Sequence, residues 1–366
     1  MLPYFLLIFS VSVMAFIHLQ TDAKRNIYFN NTFFFTFILL IVFIGFRLHI
    51  SGDWSNYLIE YYADDFRLIV STEILSDALL LLCRKLGLDF SGFVFIQSLI
   101  CCLCLFIFIS KLKFPYIGLL FAIPTLISIV FMGYIKQSMA VSFSLIAIIY
   151  FFEKKYILFA SIIILSSFFH ISSLMLFSII FALRLNFYIY ATPFIVFSLL
   201  LVFLGYLDTY IEEYIILRAV SFGAPLRTFL NVIPLFFLIF FKNNWKNEFD
   251  NYNIVFWIGI INVLIFLSSF FVSNFADRLS FYFIFYQIYI FGNLLFVIPN
   301  YKLRQILILY FILQTTIVFY IWLSFGLHSN WWLPYTNILY QDCIVDCGNE
   351  DVIIDSIRKN YFGKLN

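Results

Sequence analysis

The chain has 366 residues, of which 64% are hydrophobic, 22% aromatic and only 11% charged. A water-soluble domain needs a polar surface that this composition cannot supply, so the sequence indicates an integral membrane protein. The net charge of +2 and the lack of a block of basic residues argue against nucleic acid as a partner.

Eleven charge-free apolar blocks follow one another along the chain. Their lengths are of the order of the ~20 residues that a helix needs to cross a bilayer. The blocks lack the alternation of a β-barrel, so we expect an all-α polytopic transmembrane helix bundle, folded as a single domain over residues 1–366. The first block has no basic n-region and no small-residue cleavage site, which favours a retained anchor over a signal peptide. The blocks cover residues 3–21, 26–46, 90–110, 114–135, 137–152, 156–183, 185–207, 228–241, 251–276, 279–301 and 305–326.

Short connections between these blocks carry pairs of basic residues, which are retained on the cytoplasmic side of a membrane. Eleven alternating crossings would put the last two pairs outside. A twelfth crossing removes this conflict if residues 156–183 break near residues 169–173 into two short arms. We therefore expect 11 or 12 crossings of the membrane. With 12 crossings, both termini lie on the outer side. The basic pairs are Lys24/Arg25, Lys111/Lys113, Lys154/Lys155, Lys242/Lys246 and Lys302/Arg304.

The outer side then receives residues 47–89 as a long loop after the second helix, residues 208–227 as a second loop, and residues 327–366 as a tail. A short connection with Asp277 and Arg278 also lies outside, and with it sixteen of the 20 acidic residues lie in this outer part. Residues 74–86 form an amphipathic stretch that we expect on the membrane surface, and the tail could form a short surface helix over residues 342–366. Any chemistry is therefore expected on the outer face.

Metal and cofactor sites are not predicted. No His/Cys cluster has metal-ligand spacing, and the chain has no phosphate-binding glycine loop, dinucleotide fingerprint or nucleophile elbow. Cys343 and Cys347 either form a disulfide in an oxidising compartment or remain free thiols.

Four separated stretches combine charged, polar and aromatic residues next to the ends of predicted helices. They are Gly45-Phe46-Arg47 with Gly52-Asp53-Trp54 and Tyr57, residues 134–140 with Lys136-Gln137, residues 167–174 with Phe169-His170, and residues 277–283 with Asp277-Arg278-Leu279.

In order and spacing, these stretches resemble motifs of the EpsG family of polysaccharide polymerases, which is related in role to Wzy-type O-antigen polymerases. The first resembles a Phe-Arg, Gly-Thr-Asp-Tyr, Tyr pattern, with Trp54 in place of Tyr. The second resembles an Arg-Gln-x-x-Ala helix start, with Lys136 in place of Arg. The third resembles a Phe-His-x-Ser-Ala helix break, with Ser173 in place of Ala, and the fourth resembles an Arg-Leu-x-x-Tyr-Phe stretch.

The resemblance implies a GT-C-like architecture in the bacterial inner membrane, with the active site facing the periplasm. It also implies a glycosyltransferase reaction in which a growing glycan leaves undecaprenyl pyrophosphate and joins a lipid-linked repeat unit. The implied partners are the undecaprenyl-pyrophosphate-linked oligosaccharide, membrane lipids and a chain-length regulator.

Residue types at the predicted outer face fit that reaction without a metal. Guanidinium groups match the oxygens of a departing pyrophosphate, and an acceptor hydroxyl needs a general base. We predict His170 and Asp53 as catalytic residues. For each residue a structural alternative exists, since basic side chains snorkel to lipid phosphates, His170 could cap a broken helix and Asp53 could shape a turn. The residues predicted to bind pyrophosphate or glycan are Arg47, Arg278, Arg227, His49, Lys136 and Arg218.

Two other functions use similar features. An O-antigen ligase or other lipid-linked glycosyltransferase would use the same outer-face arginines and base with a different acceptor. A polysaccharide flippase or transporter would instead place charges near the bilayer midplane and relate the two halves of the chain. The sequence shows neither feature of a transporter.

Overall fold

The computed structural model describes residues 1–20, 27–62, 73–183 and 221–339, with side chains left undescribed at residues 27–30 and 181–183. Within these ranges the chain is almost entirely helical, which confirms the expected all-α polytopic bundle. The α-helices are α1 Leu2–Gln20, α2 Ile27–Gly45, α3 Trp54–Tyr62, α4 Ile74–Lys85, α5 Phe90–Ile109, α6 Pro115–Ala122, α7 Ile135–Phe152, α8 Tyr156–Ser167, α9 Ala224–Phe240, α10 Lys242–Glu248, α11 Tyr252–Ser268, α12 Ser273–Val297 and α13 Tyr301–Phe325. A π-helix follows α6 at Ile123–Phe131, and 3₁₀ helices cover Ile171–Leu183 and Ser329–Trp331.

Five of the described helices are long and apolar enough to cross a membrane, and a sixth crossing results if the sharply bent pair α9 and α10 counts as one span. The number of crossings predicted from the sequence stays a prediction. Helix α12 lies at the centre of the bundle. Of its most apolar 18-residue stretch, 89% is buried, compared with 33% for the corresponding stretch of α13. The shorter apolar helices are Asn31–Gly45, Pro115–Phe131, Tyr156–Ser167, Ile171–Ile180 and Tyr252–Ser268.

The predicted break in residues 156–183 is present. Helix α8 ends at Ser167, and the following 3₁₀ helix runs back along it. The Ser173 hydroxyl lies 3.5 Å from the carbonyl oxygen of Ile163, and the rings of Phe159 and Phe177 are 5.9 Å apart. The segment is therefore a hairpin of two short arms.

The predicted basic connections lie together at the end of the bundle where α12 terminates. The Lys113 backbone N–H donates to the side-chain oxygen of Asn293 at 3.0 Å, and Arg304 donates to the carbonyl of Ile298. Tyr289 of α12 contacts the ends of the helices that carry the other pairs. The pair Lys24/Arg25 lies outside the described residues. The basic residues at this end are Lys111, Lys113, Lys154, Lys155, Lys242, Lys246, Lys302 and Arg304.

One predicted connection is wrong. The sequence analysis ended one block at residue 276 and began the next at residue 279, with Asp277 and Arg278 between them. The structure instead begins α12 at Ser273, so both charged residues lie in its second turn. The charges were read as a loop because they interrupt an apolar run, but their side chains face other polar groups at this end of the bundle. The predicted block at residues 185–207, the surface helix at 342–366 and the Cys343–Cys347 pair lie outside the described residues.

A short clasp joins the chain after α2 to the chain after α13. Strand β1, Arg47–Leu48, pairs antiparallel with strand β2, Thr336–Asn337. The Ser51 N–H donates to the carbonyl of Trp331 at 3.1 Å, and a Cβ added at Gly52 would lie 2.2 Å from the Trp331 ring. The backbone just before α3 is therefore held by a segment from the far end of the described chain.

Candidate active site at one end of the bundle

Charged side chains gather at the end of the bundle opposite the basic connections, where α7 and α12 begin. They come from α3, from the residues around the start of α4, from the first turn of α7, from the turn between α8 and the 3₁₀ helix, and from the second turn of α12. The charged and titratable members are Asp53, Tyr57, Glu60, Glu73, Asp77, Lys136, His170, Asp277 and Arg278.

Lys136 is surrounded by three carboxylates. Its Nζ atom lies 2.5 Å from Glu60 Oε1, 3.1 Å from Glu73 Oε2 and 3.4 Å from Asp77 Oδ1. Glu73 and Asp77 are four residues apart, which puts both on one face of α4. These partners neutralise the ammonium, so a substrate phosphate would have to compete with them. The predicted role of Lys136 in substrate binding stays a prediction.

His170 lies in the turn between the two arms of the hairpin, where its backbone N–H donates to the carbonyl of Ser166 at 3.2 Å. Its Nε2 atom is 3.6 Å from Glu73 Oε1. On the other side of the ring, Nδ1 lies 2.6 Å from the Ser172 hydroxyl, which lies 2.9 Å from the Tyr282 hydroxyl. Burial lowers the pKa of His170 to about 3, and the charges of Arg278 and Lys136 act in the same direction.

Arg278 projects from α12 and is half-buried. Its Nη1 donates to Gln137 Oε1 at 2.5 Å, and its guanidinium lies 4.6 Å from the centre of the Tyr134 ring. Tyr134 lies two residues before Lys136, and Gln137 follows it directly. The start of α7 therefore positions both the Arg278 guanidinium and the carboxylates around Lys136. A planar cation held between an amide and an aromatic ring is oriented for bidentate contact with phosphate oxygens.

Asp53 and Tyr57 both interact electrostatically with Arg278. Tyr57 also interacts with Lys136 and Glu73. Burial raises the pKa of Asp53, and the charge of Arg278 lowers it in part. Burial is also the main cause that raises the pKa of Tyr57. The charges of Asp53 and Glu73 add to that rise, and those of Lys136 and Arg278 oppose it. Tyr57 therefore lies within electrostatic reach of both cations and both carboxylates.

Arg227 is engaged by Asp277 at the same end of the bundle. Its Nε and Nη2 atoms donate to the two carboxylate oxygens at 2.7 and 2.6 Å. The Ser221 hydroxyl donates to Asp277 Oδ2 at 2.9 Å and accepts from Arg227 Nη2 at 2.8 Å. These two parallel hydrogen bonds fix the side chain of Asp277, the residue that precedes Arg278 in α12. The predicted contact of Arg227 with pyrophosphate stays a prediction.

Arg47 is 1% exposed and lies inside the bundle, away from the open face on which it was expected. Its Nη1 donates to the carbonyl of Ile44 at 2.7 Å and to the Ser98 hydroxyl at 3.3 Å, and its guanidinium is 6.0 Å from the centre of the Trp54 ring. The Nε and Nη2 atoms have no hydrogen-bond partner among the described residues. Contact with a pyrophosphate would require a rearrangement around this side chain.

A buried polar chain leads from Arg47 to the start of α7. The Ser98 hydroxyl lies 3.2 Å from Gln97 Oε1, and Gln97 Nε2 donates to the Ser138 hydroxyl at 2.6 Å. Ser138 follows Gln137, the partner of Arg278. Arg47 therefore lies behind the site, where it supports α7.

Two predicted residues remain, His49 and Arg218. His49 is exposed in the turn after β1, with φ of 51° and its ring 5.8 Å from Trp54. Arg218 lies outside the described residues. Their predicted roles stay predictions.

Sequence reasoning missed much of this site. Glu60, Glu73 and Asp77 were seen as acidic residues of a long loop, and nothing in the sequence pairs them with Lys136. Tyr134, Gln137, Ser172 and Tyr282 lie within the stretches that resemble the EpsG motifs, which is the signal that could have identified them. Among the described residues, no group of three or more His, Cys, Asp and Glu side chains is arranged to hold a metal ion.

The fold and this site define a polytopic membrane protein whose charged chemistry is concentrated at one end of the bundle. A sequence model of the EpsG family matches residues 30–337, which is most of the chain. The chain belongs to the EpsG family, a Wzy-like polymerase family, and this membership supports a polysaccharide polymerase-like role in the membrane. Comparisons with curated proteins and with solved structures give no match.

Proposed function

We propose that this chain is a polysaccharide polymerase of the O-antigen type. It transfers a growing glycan from undecaprenyl pyrophosphate to a lipid-linked repeat unit at the periplasmic face of the bacterial inner membrane. The acceptor hydroxyl attacks the anomeric carbon of the donor, and the diphosphate leaves with the bonding electron pair.

The observation that carries this proposal is the position of Arg278 beside a cluster of carboxylates and His170 at one end of the bundle. A departing diphosphate needs a cation, and an acceptor hydroxyl needs a proton acceptor. Arg278 supplies the first on a rigid support of Tyr134 and Gln137. One carboxylate of the cluster supplies the second within the same group of side chains.

The proposed reaction needs no metal ion, because the guanidinium of Arg278 takes the charge of the leaving group. The Arg227–Asp277 pair next to it fixes the second turn of α12 and so the direction of Arg278. The proposal also includes contacts of His49 and Arg218 with the glycan or the lipid phosphates, and of Arg47 after a rearrangement around its buried side chain.

Deleting the gene tests the function. A polymerase predicts single repeat units on the surface lipid in place of long chains, because the ligase still attaches single units. Loss of a ligase would remove the glycan from the surface lipid completely, and loss of a flippase would trap the lipid-linked units on the inner side. Gel ladders of surface glycan together with the position of the lipid-linked unit separate these outcomes.

Arg278→Ala should reproduce the single-unit phenotype, with turnover reduced about 100-fold or more, since removing one donor to a developing anion has effects of that size. Lys302→Ala is the control, because this exposed cation lies at the opposite end of the bundle. Long chains in the Arg278 variant at normal protein level would contradict the assignment of the leaving-group site.

A further inference from the structure

Glu73 is the carboxylate that joins the two halves of the charged cluster. Its Oε2 atom lies 3.1 Å from Lys136 Nζ, and its Oε1 atom lies 3.6 Å from His170 Nε2. Glu60 and Asp77 also contact Lys136, but among the described residues neither lies within ion-pair distance of His170. The side chain of Glu73 is 15% exposed, so the cluster leaves it partly open.

The hydrogen bonds around His170 fix which nitrogen carries its proton. The backbone N–H of Ser172 lies 3.3 Å from Nδ1, and a backbone N–H can only donate. Nδ1 is therefore an acceptor, and the neutral ring carries its hydrogen on Nε2. Nε2 is the ring nitrogen that lies 3.6 Å from Glu73 Oε1, so the series of contacts from the Tyr282 hydroxyl through Ser172 and His170 leads to the Glu73 carboxylate.

In this tautomer His170 has no lone pair left for an acceptor hydroxyl. An ionised carboxylate is acceptor-only with about four lone-pair directions, so Glu73 can take a proton where the neutral His170 ring in this tautomer cannot. Asp53 faces the charge of Arg278, where the leaving group binds in the proposed reaction, and it is less suited to deprotonate the acceptor.

We propose that Glu73 is the general base that takes the proton of the acceptor hydroxyl, and that His170 and Lys136 are positioning residues that hold its carboxylate. This inference rests on the proposed polymerase function and replaces His170 and Asp53 as the predicted bases.

Charge around Glu73 agrees with this role. Burial raises its pKa, Lys136 lowers it in part, and Glu60 and Asp77 raise it again. A base whose pKa is moved towards the ambient pH is more effective than an ordinary carboxylate. Among the described residues, the titratable and charged groups that act on Glu73 or on its partner His170 are Tyr57, Glu60, Asp77, Lys136, His170 and Arg278.

In the step itself, the O–H bond of the acceptor sugar breaks and its proton moves to a Glu73 oxygen. The acceptor oxygen forms a bond to the anomeric carbon of the donor glycan. The bond from that carbon to the diphosphate oxygen breaks, and its electron pair leaves with undecaprenyl diphosphate beside Arg278. Glu73 then releases the proton to water, which restores the carboxylate.

The test compares three variants of the full-length protein in lipid nanodiscs. Glu73→Gln keeps the size and hydrogen bonding of the side chain but cannot accept a proton. Glu60→Gln and Asp77→Asn are the matched controls, because they also remove a carboxylate from Lys136. The probe is the lipid-linked repeat unit extracted from cells that lack the gene, and the readout is the initial rate of chain extension.

We expect Glu73→Gln to lower the rate by about 100-fold or more, within the range of general-base catalysis, while the two controls change it less than about 10-fold. Retained activity in Glu73→Gln, or an equal loss in all three variants, would overturn the assignment. Thermal unfolding of each variant shows whether a loss reflects misfolding, and Glu73→Asp provides a second variant that keeps the carboxylate. If the wild-type protein itself extends no chain, the proposed function fails, independently of the base.

His170→Ala has a signature of its own. Removing an N–H that points at the carboxylate raises the pKa of Glu73, so the acidic limb of the pH profile of kcat should move to higher pH. A purely structural role would lower the rate and leave the limb in place, and that result would remove His170 from the positioning role.

Discussion

The two ends of the bundle, where α12 begins and where it ends, both carry charged residues, but these residues lie in very different surroundings. Where the helix begins, Arg227 and Asp277 form a pair whose side chains are 18% and 7% exposed, and Lys136 sits among carboxylates. Where it ends, cations lie against rings and carbonyls at the surface, and the pair Lys155–Glu153 is 55% and 39% exposed. Charge removed from water is costly unless it is paired, whereas exposed charge is solvated. The first end therefore holds its charges in buried pairs, and the second leaves them in contact with solvent.

Replacing one partner in each pair gives the sharpest test of this contrast. Asp277→Asn leaves the buried Arg227 without its carboxylate and should lower the free energy of unfolding by about 3–5 kcal/mol. Glu153→Gln breaks the exposed pair, and we expect a change within about 1 kcal/mol. Chemical unfolding in detergent micelles, followed by tryptophan fluorescence, measures both. Equal effects would show that the two ends do not differ in this respect.

Close packing gives a second comparison. Gly52→Ala would put a methyl group 2.2 Å from the rigid Trp331 ring, so the turn before Asp53 must shift, at a cost of about 1–3 kcal/mol. Gly118→Ala, near the basic end, meets the tip of Leu112 at 2.5 Å, which can rotate away. Better helix propensity offsets that contact. We expect Gly52→Ala to lower both the melting temperature and the rate of glycan chain extension. Gly118→Ala should change both quantities less.

The pH dependence of stability should have opposite signs at the two ends. Burial raises the pKa of Glu73 above 4.5, so its contribution to stability is present below pH 4.5 and is lost as the pH rises through the raised pKa. A hydrogen bond from Lys155 lowers the pKa of Glu153, so that contribution is present above pH 4.5 and is lost as the pH falls. Each slope is at most about 1.4 kcal/mol per pH unit. Comparing unfolding curves of wild type, Glu73→Gln and Glu153→Gln between about pH 2.5 and 7 separates the two, since the loss for Glu153 falls below pH 4.5 and that for Glu73 above it, and slopes of the same sign would contradict these shifts.

Hydropathy and loop charge were enough to predict the helical bundle, because a bilayer tightly limits how polar backbone groups can be satisfied. The hairpin break near His170 followed from the distribution of basic pairs, since one additional crossing between residues 156 and 241 was needed to place Lys154 and Lys242 on the same side, and residues 156–183 were the candidate. Both features depend on local sequence and on the constraint that the bilayer places on the whole chain.

The carboxylate cluster could not be predicted in the same way. Glu60, Glu73 and Asp77 reach Lys136 only in the folded chain, and such long-range ion pairs leave no trace in the spacing of residues along the sequence. The interior position of Arg47 has the same origin. Its place directly after an apolar run suggested an interface, but the pairing of β1 with β2 covers it.

The β1–β2 clasp also sets an order of events during biosynthesis. Arg47 emerges from the ribosome early, whereas its partner Asn337 follows every described helix. The turn that carries Asp53 therefore stays untethered while the other helices insert. A nascent chain cannot complete this wall of the site until residue 337 has been synthesised, so the wall forms only after every described helix is available to insert.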